Sequence, residues 1–388
     1  MGRPELEAAL RRDPHDEHAW AVFGDLLAAE GDIRGELIAL DQRAAASEKP
    51  FERSVLEHRA AELAERERRR WLGPLADAGL EITWMRGFAI NAVIARHHPS
   101  TLAALLELPT AALLRELVLV RPRGLASIAK HLRDRAIETL TLRAPHCDSL
   151  EDLAALEQLR ELVVDGGSTT GVEALASLPR LERLSLRRCR GEVVGLAAGF
   201  TGLRSLELSA RADVGELGDG ALAPLAHLTE LRELSLRDGG WSELDALADL
   251  RALEQLDLRS TDISSLAPLA ELAALRELDL SGCTDVTDLE PLARLHALER
   301  LELGYTRVRR LQPLAGLRRL EVIELAGTSV ADLSPLFELP ALRKVGVEAC
   351  EIDDLQPLRA RGVTLTGARA PEPSWRELAE GLLRSTKS

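Results

Sequence analysis

A few groups of residues in this 388-residue chain have types and spacing that could do chemistry: two histidine pairs, four cysteines and a recurring series of carboxylates. His15-Asp16-Glu17-His18 places histidines at i and i+3, and His97-His98 are adjacent, but neither pair is joined by a Cys or carboxylate at metal-site spacing. The chain has no Gly-rich phosphate loop, no His-Glu-x-x-His and no Gly-x-Ser-x-Gly. No catalytic residue, cofactor or metal is therefore expected, and the chain reads as not an enzyme. The Glu65–Arg70 run closes a helix, where arginines suit the negative end of the dipole. The carboxylates behave differently. Asp257, Asp279, Glu302 and Glu324 recur at intervals of 22 or 23 residues, with Glu207 ahead of them, so a repeated element must position them.

That element is written in leucine. The chain holds 77 leucines, 66 of them after residue 100, and aromatics make up only 3% of it. From residue 114 the pattern Leu-x-x-Leu-x-Leu recurs, for example at Leu253/Leu256/Leu258, Leu275/Leu278/Leu280 and Leu298/Leu301/Leu303. Eleven such units start at intervals of 22 or 23 residues, apart from one interval of 28. The alternating half is a short strand. The other half ends in Pro-Leu, as at Pro268-Leu269, Pro313-Leu314, Pro335-Leu336 and Pro357-Leu358. Proline lacks an N–H and cannot extend a sheet, so this half must turn the chain back. Strand, turn and return make one coil of a solenoid, which buries its leucines only by stacking on its neighbours.

The pattern resembles the leucine-rich-repeat family, in its short bacterial, internalin-like form. The resemblance implies an α/β solenoid: a leucine-rich-repeat array with a parallel concave sheet, here preceded by a small all-α domain. The family often has Asn eight residues into the unit. This chain has Cys189, Thr261, Cys283, Thr306, Thr328 and Cys350 there, side chains that fill the same slot with fewer hydrogen bonds. The cysteines are therefore expected to be buried and free, with Cys147 on an apolar core position; Trp241, on the position of Ile263, reads as core too.

Residues 1–72 carry no repeat and read as helices. Their apolar faces are Leu6/Leu10, Trp20/Phe23/Leu26/Leu27, Ile33/Leu37/Ile38/Leu40 and Phe51/Val55/Leu56/Leu63. The runs Trp20-Ala21-Val22-Phe23-Gly24-Asp25-Leu26-Leu27 and Glu30-Gly31-Asp32-Ile33-Arg34-Gly35-Glu36-Leu37-Ile38 resemble the repeat-companion domain of planctomycete and myxobacterial proteins. Its segment Gly31–Glu36 is either a tight turn between helices or a docking surface. A strand pair turning at Arg86-Gly87 would cover the first edge of the solenoid. The expected organisation is a helical domain over 1–72, a cap over 73–113, eleven repeats over 114–358 and a C-terminal cap over 359–388, with a helix opened by Ser374-Trp375-Arg376-Glu377.

In Leu-x-x-Leu-x-Leu the leucines point inward and the intervening residues outward. The central outward column includes Glu207, Asp257, Asp279, Glu302 and Glu324, flanked by Arg183, Arg187, Arg237, Arg259 and Arg300, and the chain's one tyrosine, Tyr305, ends the face. Like charges on neighbouring strands repel. The column is then either a salt-bridged, solvated face or a pre-formed acidic groove with an arginine rim for a protein partner with a basic surface. The long unit adds Ser209–Gly220, which is either a tolerated loop or a flap beside the groove. A net charge of -14 and the scarcity of aromatics argue against nucleic acid. Acidic opening residues and the lack of any 18-residue apolar run argue against a secretory signal or a membrane span, so a cytoplasmic protein is expected. The favoured function is a non-catalytic protein–protein interaction module. The other class is an effector or toxin-like enzyme acting through the N-terminal helices.

Overall fold

The computed structural model describes residues 2–95, 98–146, 149–189, 199–200, 202–209, 222–352 and 354–367. The chain divides into two compact units, 1–240 and 241–388. Cys147, most of the Ser209–Gly220 insertion and the Ser374 capping box lie outside the described residues.

The first unit opens with four helices: α1 (Arg3–Arg12), α2 (Glu17–Ala29), α3 (Arg34–Ala46) and α4 (Pro50–Leu72). Asp16 caps α2 by accepting from the Ala19 N–H at 2.9 Å. Gly24 and Gly35 let α2 and α3 approach closely: a Cβ on Gly35 would lie 2.6 Å from the backbone N of Ala28. Leu6, Leu10, Trp20, Phe23, Leu27 and Ile38 form one buried cluster with Phe88 and Leu113, so the core runs across residue 73, where the sequence parts helices from cap. Phe51 and Val55 depart from the sequence reading; they are 82% and 50% exposed. The seam of α4 is Leu56, Ala60 and Leu63, at i, i+4 and i+7, and the two earlier apolar residues fall off it.

The turn at Arg86-Gly87 joins β1 (Leu80–Met85) and β2 (Phe88–Ile94) as an antiparallel pair. After α5 (Pro99–Leu106), parallel strands follow in chain order: β3 (Glu116–Val120), β4 (Thr139–Arg143), β5 (Glu161–Asp165), β6 (Arg183–Arg187), β7 (Ser205–Ser209) and β8 (Glu233–Ser235), with α6 (Leu125–Leu132) between β3 and β4.

The second unit is built from the same kind of coil. Its strands β9 (Gln255–Asp257), β10 (Glu277–Asp279), β11 (Arg300–Glu302), β12 (Val322–Glu324), β13 (Lys344–Gly346) and β14 (Thr364–Thr366) are parallel and in register. Leu256, Leu278, Leu301, Ile323 and Val345 stack on one another at 2% exposure or less. Each such side chain contributes about 1.5–3 kcal/mol on burial. The Pro-Leu halves become 3₁₀ turns such as Glu290–Arg294 and Gln312–Gly316, with proline in the first turn where its missing N–H costs nothing. Asp288, Asp332 and Asp354 open such returns by accepting from the backbone N–H two residues on, at 2.8–3.0 Å. A short helix, α7 (Gln356–Ala360), forms the last return.

Thr and Cys occupy the usual Asn slot as donors. Thr261 Oγ1 and Cys283 Sγ both donate to the Leu258 carbonyl, at 2.6 and 3.0 Å, and Thr306 Oγ1 donates to Leu303 at 2.7 Å. Cys189, Cys283 and Cys350 are free thiols. Burial pushes the Cys283 thiol above its ordinary range, and the Thr261 hydroxyl offsets part of that. Ellman's reagent should therefore leave Cys189 and Cys283 unlabelled in the folded protein and label both in guanidinium, as read by peptide mass spectrometry. Rapid native labelling of Cys283 would contradict the slot.

Candidate functional site

The residues singled out by the repeat fall into two groups. In the first unit Glu207 is clamped: Arg187 Nη2 lies 2.6 Å and Arg237 Nη2 2.8 Å from its carboxylate, and Ser185 Oγ donates at 2.7 Å. Burial alone would raise the Glu207 carboxyl, but these hydrogen bonds and charges outweigh it and hold the group below the ordinary carboxylate range. Its contribution to stability is thus full above the unfolded carboxylate range and is lost as pH falls through the lower folded value. Arg183 belongs elsewhere. Parallel register sets it opposite Glu161, which it meets at 3.8 Å.

In the second unit Asp257, Asp279, Glu302 and Glu324 occupy one register position on four successive strands. Arg259 serves two of them, with Nη2 at 2.7 Å from Asp257 and Nε at 3.3 Å from Asp279. Arg300 reaches Glu302 at only 3.6 Å. Glu324 accepts from the Ala326 N–H at 3.3 Å, and its carboxylate lies over Gly346, where a Cβ would sit within 2.0 Å of it. Negative charge therefore accumulates towards β11 and β12. Burial, and then the charges of Asp279 and Glu324, push the Glu302 carboxyl above its ordinary range, and Arg300 offsets only part of this.

The sign is opposite to that of Glu207. The fold binds a proton at Glu302 more tightly than the unfolded chain does, so this site gains stability as pH falls through its raised range. Glu302→Gln should raise the melting temperature at pH 7 by on the order of 2 °C, a carboxylate still one-quarter exposed being partly screened by water, and should have no such effect near pH 4. Calorimetry at the two pH values checks this.

Tyr305 is 67% exposed at the end of β11. It sits at φ +59, in a column of left-handed residues that includes Ser260, Gly282, Gly327 and Ala349. Its ring covers Gly327, where a Cβ would come within 2.7 Å of Cδ1. The only trace of this column in the sequence is weak: glycine recurs there, at Gly282 and Gly327.

Residues 251–294, which include Asp257 and Asp279, match the family of leucine-rich repeats in two copies. The chain carries leucine-rich repeats. Among solved structures with a similar fold, an internalin (inlF) from Listeria monocytogenes is 19% identical, with a TM-score of 0.58 over 72% of this chain and 87% of that one. TLR13 in complex with ssRNA13 is 19% identical at a TM-score of 0.50, over 65% of this chain and 38% of that one. A TDR receptor is 16% identical at 0.50, over 68% and 48%. No curated protein matches the sequence.

The acidic ladder thus lies on the strand face of a leucine-rich-repeat array. Among the described residues no His, Cys, Asp and Glu side chains gather as a metal site, and no helix is long and apolar enough to cross a membrane. The Gly31–Glu36 segment serves the helix packing. Asp32 Oδ1 accepts from the Arg34 N–H at 3.0 Å and from Arg34 Nε at 2.9 Å. Arg34, 4% exposed, lies over the Phe88 ring at 4.4 Å and donates to the Pro109 carbonyl at 3.1 Å.

Proposed function

We propose that the chain is a non-catalytic, cytoplasmic protein-interaction module whose second unit recognises a basic protein surface through the ladder Asp257, Asp279, Glu302 and Glu324. The carrying observation is the imbalance at Glu302, which has two carboxylates in register beside it and one arginine at 3.6 Å. A cationic side chain arriving there relieves repulsion already present in the free protein, so part of the binding energy is stored in the fold. Tyr305 adds an exposed aromatic surface at the end of the ladder, a residue type enriched where binding energy concentrates. Glu207 is saturated by its own arginines and serves as a structural ion cluster in this reading.

One solved neighbour is a complex with RNA, so the repeat fold alone does not select the ligand class. Charge selects it. A net charge of -14 and a carboxylate ladder repel phosphates, and the face offers few rings for bases to stack on. The test is affinity capture with the wild-type chain, with Asp279→Asn/Glu302→Gln/Glu324→Gln, and with the control Glu52→Gln/Glu57→Gln/Glu62→Gln on α4. A specific partner should have a basic surface, be lost from the ladder variant and be retained by the control. Equal retention by all three would refute the ladder as the site.

A further inference from the structure

Beside α1 and the N-terminal ends of β2, β3 and β4, the first unit holds a cavity of about 210 Å³. Its apolar walls are Pro14, Met85 and Ile90, over a floor of the buried Leu10, Trp20 and Leu113. Trp20 is fully buried, its ring 6.0 Å from that of Phe88 and 6.3 Å from that of Phe23, and its Nε1 donates to the Pro14 carbonyl at 2.8 Å. The floor under the cavity is therefore fixed before any ligand arrives, which lowers the cost of binding.

The volume falls short of the roughly 300–1,000 Å³ of sites for drug-sized molecules, and suits a single side chain. The rim decides what stands next to it. Glu138 is already held by Arg115 at 2.6 Å and Arg160 at 3.8 Å. Glu116 is exposed and accepts from the Asn91 amide at 2.8 Å; among the described residues no cation pairs with it. The charge left available at the mouth is therefore negative.

We infer that this cavity takes one branched apolar side chain of a partner peptide whose neighbouring residue is Lys or Arg, the apolar group entering between Pro14, Met85 and Ile90 and the cation meeting Glu116. The site lies in the first unit and does not depend on the ladder.

The chain has only two methionines, Met1 and Met85, so methyl-labelled methionine reports on the wall directly. The full chain at pH 8 is titrated with acetyl-Leu-Lys-amide, acetyl-Leu-Glu-amide and acetyl-Ala-Lys-amide. The expected result is a saturable Met85 shift with Leu-Lys, binding at least fivefold weaker with Leu-Glu, and no saturation with Ala-Lys. Thr139→Phe, which adds bulk at the lining, should abolish the shift. Glu116→Gln should keep the preference for Leu over Ala and remove that for Lys over Glu. A shift linear in peptide, or equal for the three peptides, overturns the inference. If Thr139→Phe fails to fold, Glu116→Gln decides, and an unchanged Lys preference overturns the role of the rim.

Discussion

Leu301→Asp is expected to abolish the fold of the second unit. Leu301 is fully buried and pairs in register with Leu278 on one side and Ile323 on the other. Aspartate there removes the apolar contacts, leaves a cavity and strands a carboxylate with no partner. The combined cost is about 5 kcal/mol or more, at the extreme of single substitutions. In a stacked array each coil is stabilised mainly by its neighbours, so the loss spreads to β10 and β12. Circular dichroism and limited proteolysis of the variant should show a collapsed second unit. The adjacent Glu302→Gln should show the opposite, a small gain. Similar behaviour of the two variants would mean that the inward and outward faces of β11 are wrongly assigned.

The second large effect lies among the helices. Asp32→Ala removes the carboxylate that neutralises Arg34 in a nearly dry site, and an uncompensated buried charge costs about 3–5 kcal/mol. Asp32 is itself one-fifth exposed at its side chain, which places the expectation at the lower end of that range. The melting temperature should fall by on the order of 6 °C or more. Arg34→Met in the same background should restore much of it, since an apolar chain of similar length fills the space over Phe88 without a charge. A double variant no more stable than Asp32→Ala would show that the loss comes from the turn geometry at Asp32 and not from the stranded guanidinium.

These two residues also mark what the sequence can reveal. Leu301 is one of many leucines repeating at a fixed interval, and that interval specifies strand, face and register together, because only stacked coils bury such a pattern. Asp32 and Arg34 carry no such period. A charged pair two residues apart reads equally as a surface or as a buried clamp until Phe88 and Pro109, far along the chain, close over it. Phe51 and Val55 show the reverse failure: apolar type suggested burial, but α4 has one seam and they lie beside it. Within the site, the outward column followed from alternation, whereas the partner of each arginine did not. Arg183 turns to Glu161 because cross-strand register sets them opposite, and Arg259 spans two carboxylates because its side chain reaches the next strand. Tyr305 was legible as exposed, and its left-handed backbone was not.

In the proposed function, a basic partner recognises the uneven neutralisation of the ladder. The most direct test is the association rate of the captured partner, measured by stopped flow from low to physiological salt, for the wild-type chain and for Asp257→Lys/Asp279→Lys/Glu302→Lys. The three side chains point outward, and circular dichroism verifies that the fold survives the loss of their pairing with Arg259 and Arg300. Electrostatic steering raises association by roughly 10- to 1000-fold and is screened within about 10 Å at 0.1 M salt. The wild-type rate should fall steeply with salt, and the variant should be at least tenfold slower at low salt with its salt dependence flattened or inverted. Equal rates with equal salt dependence for the two proteins would contradict it.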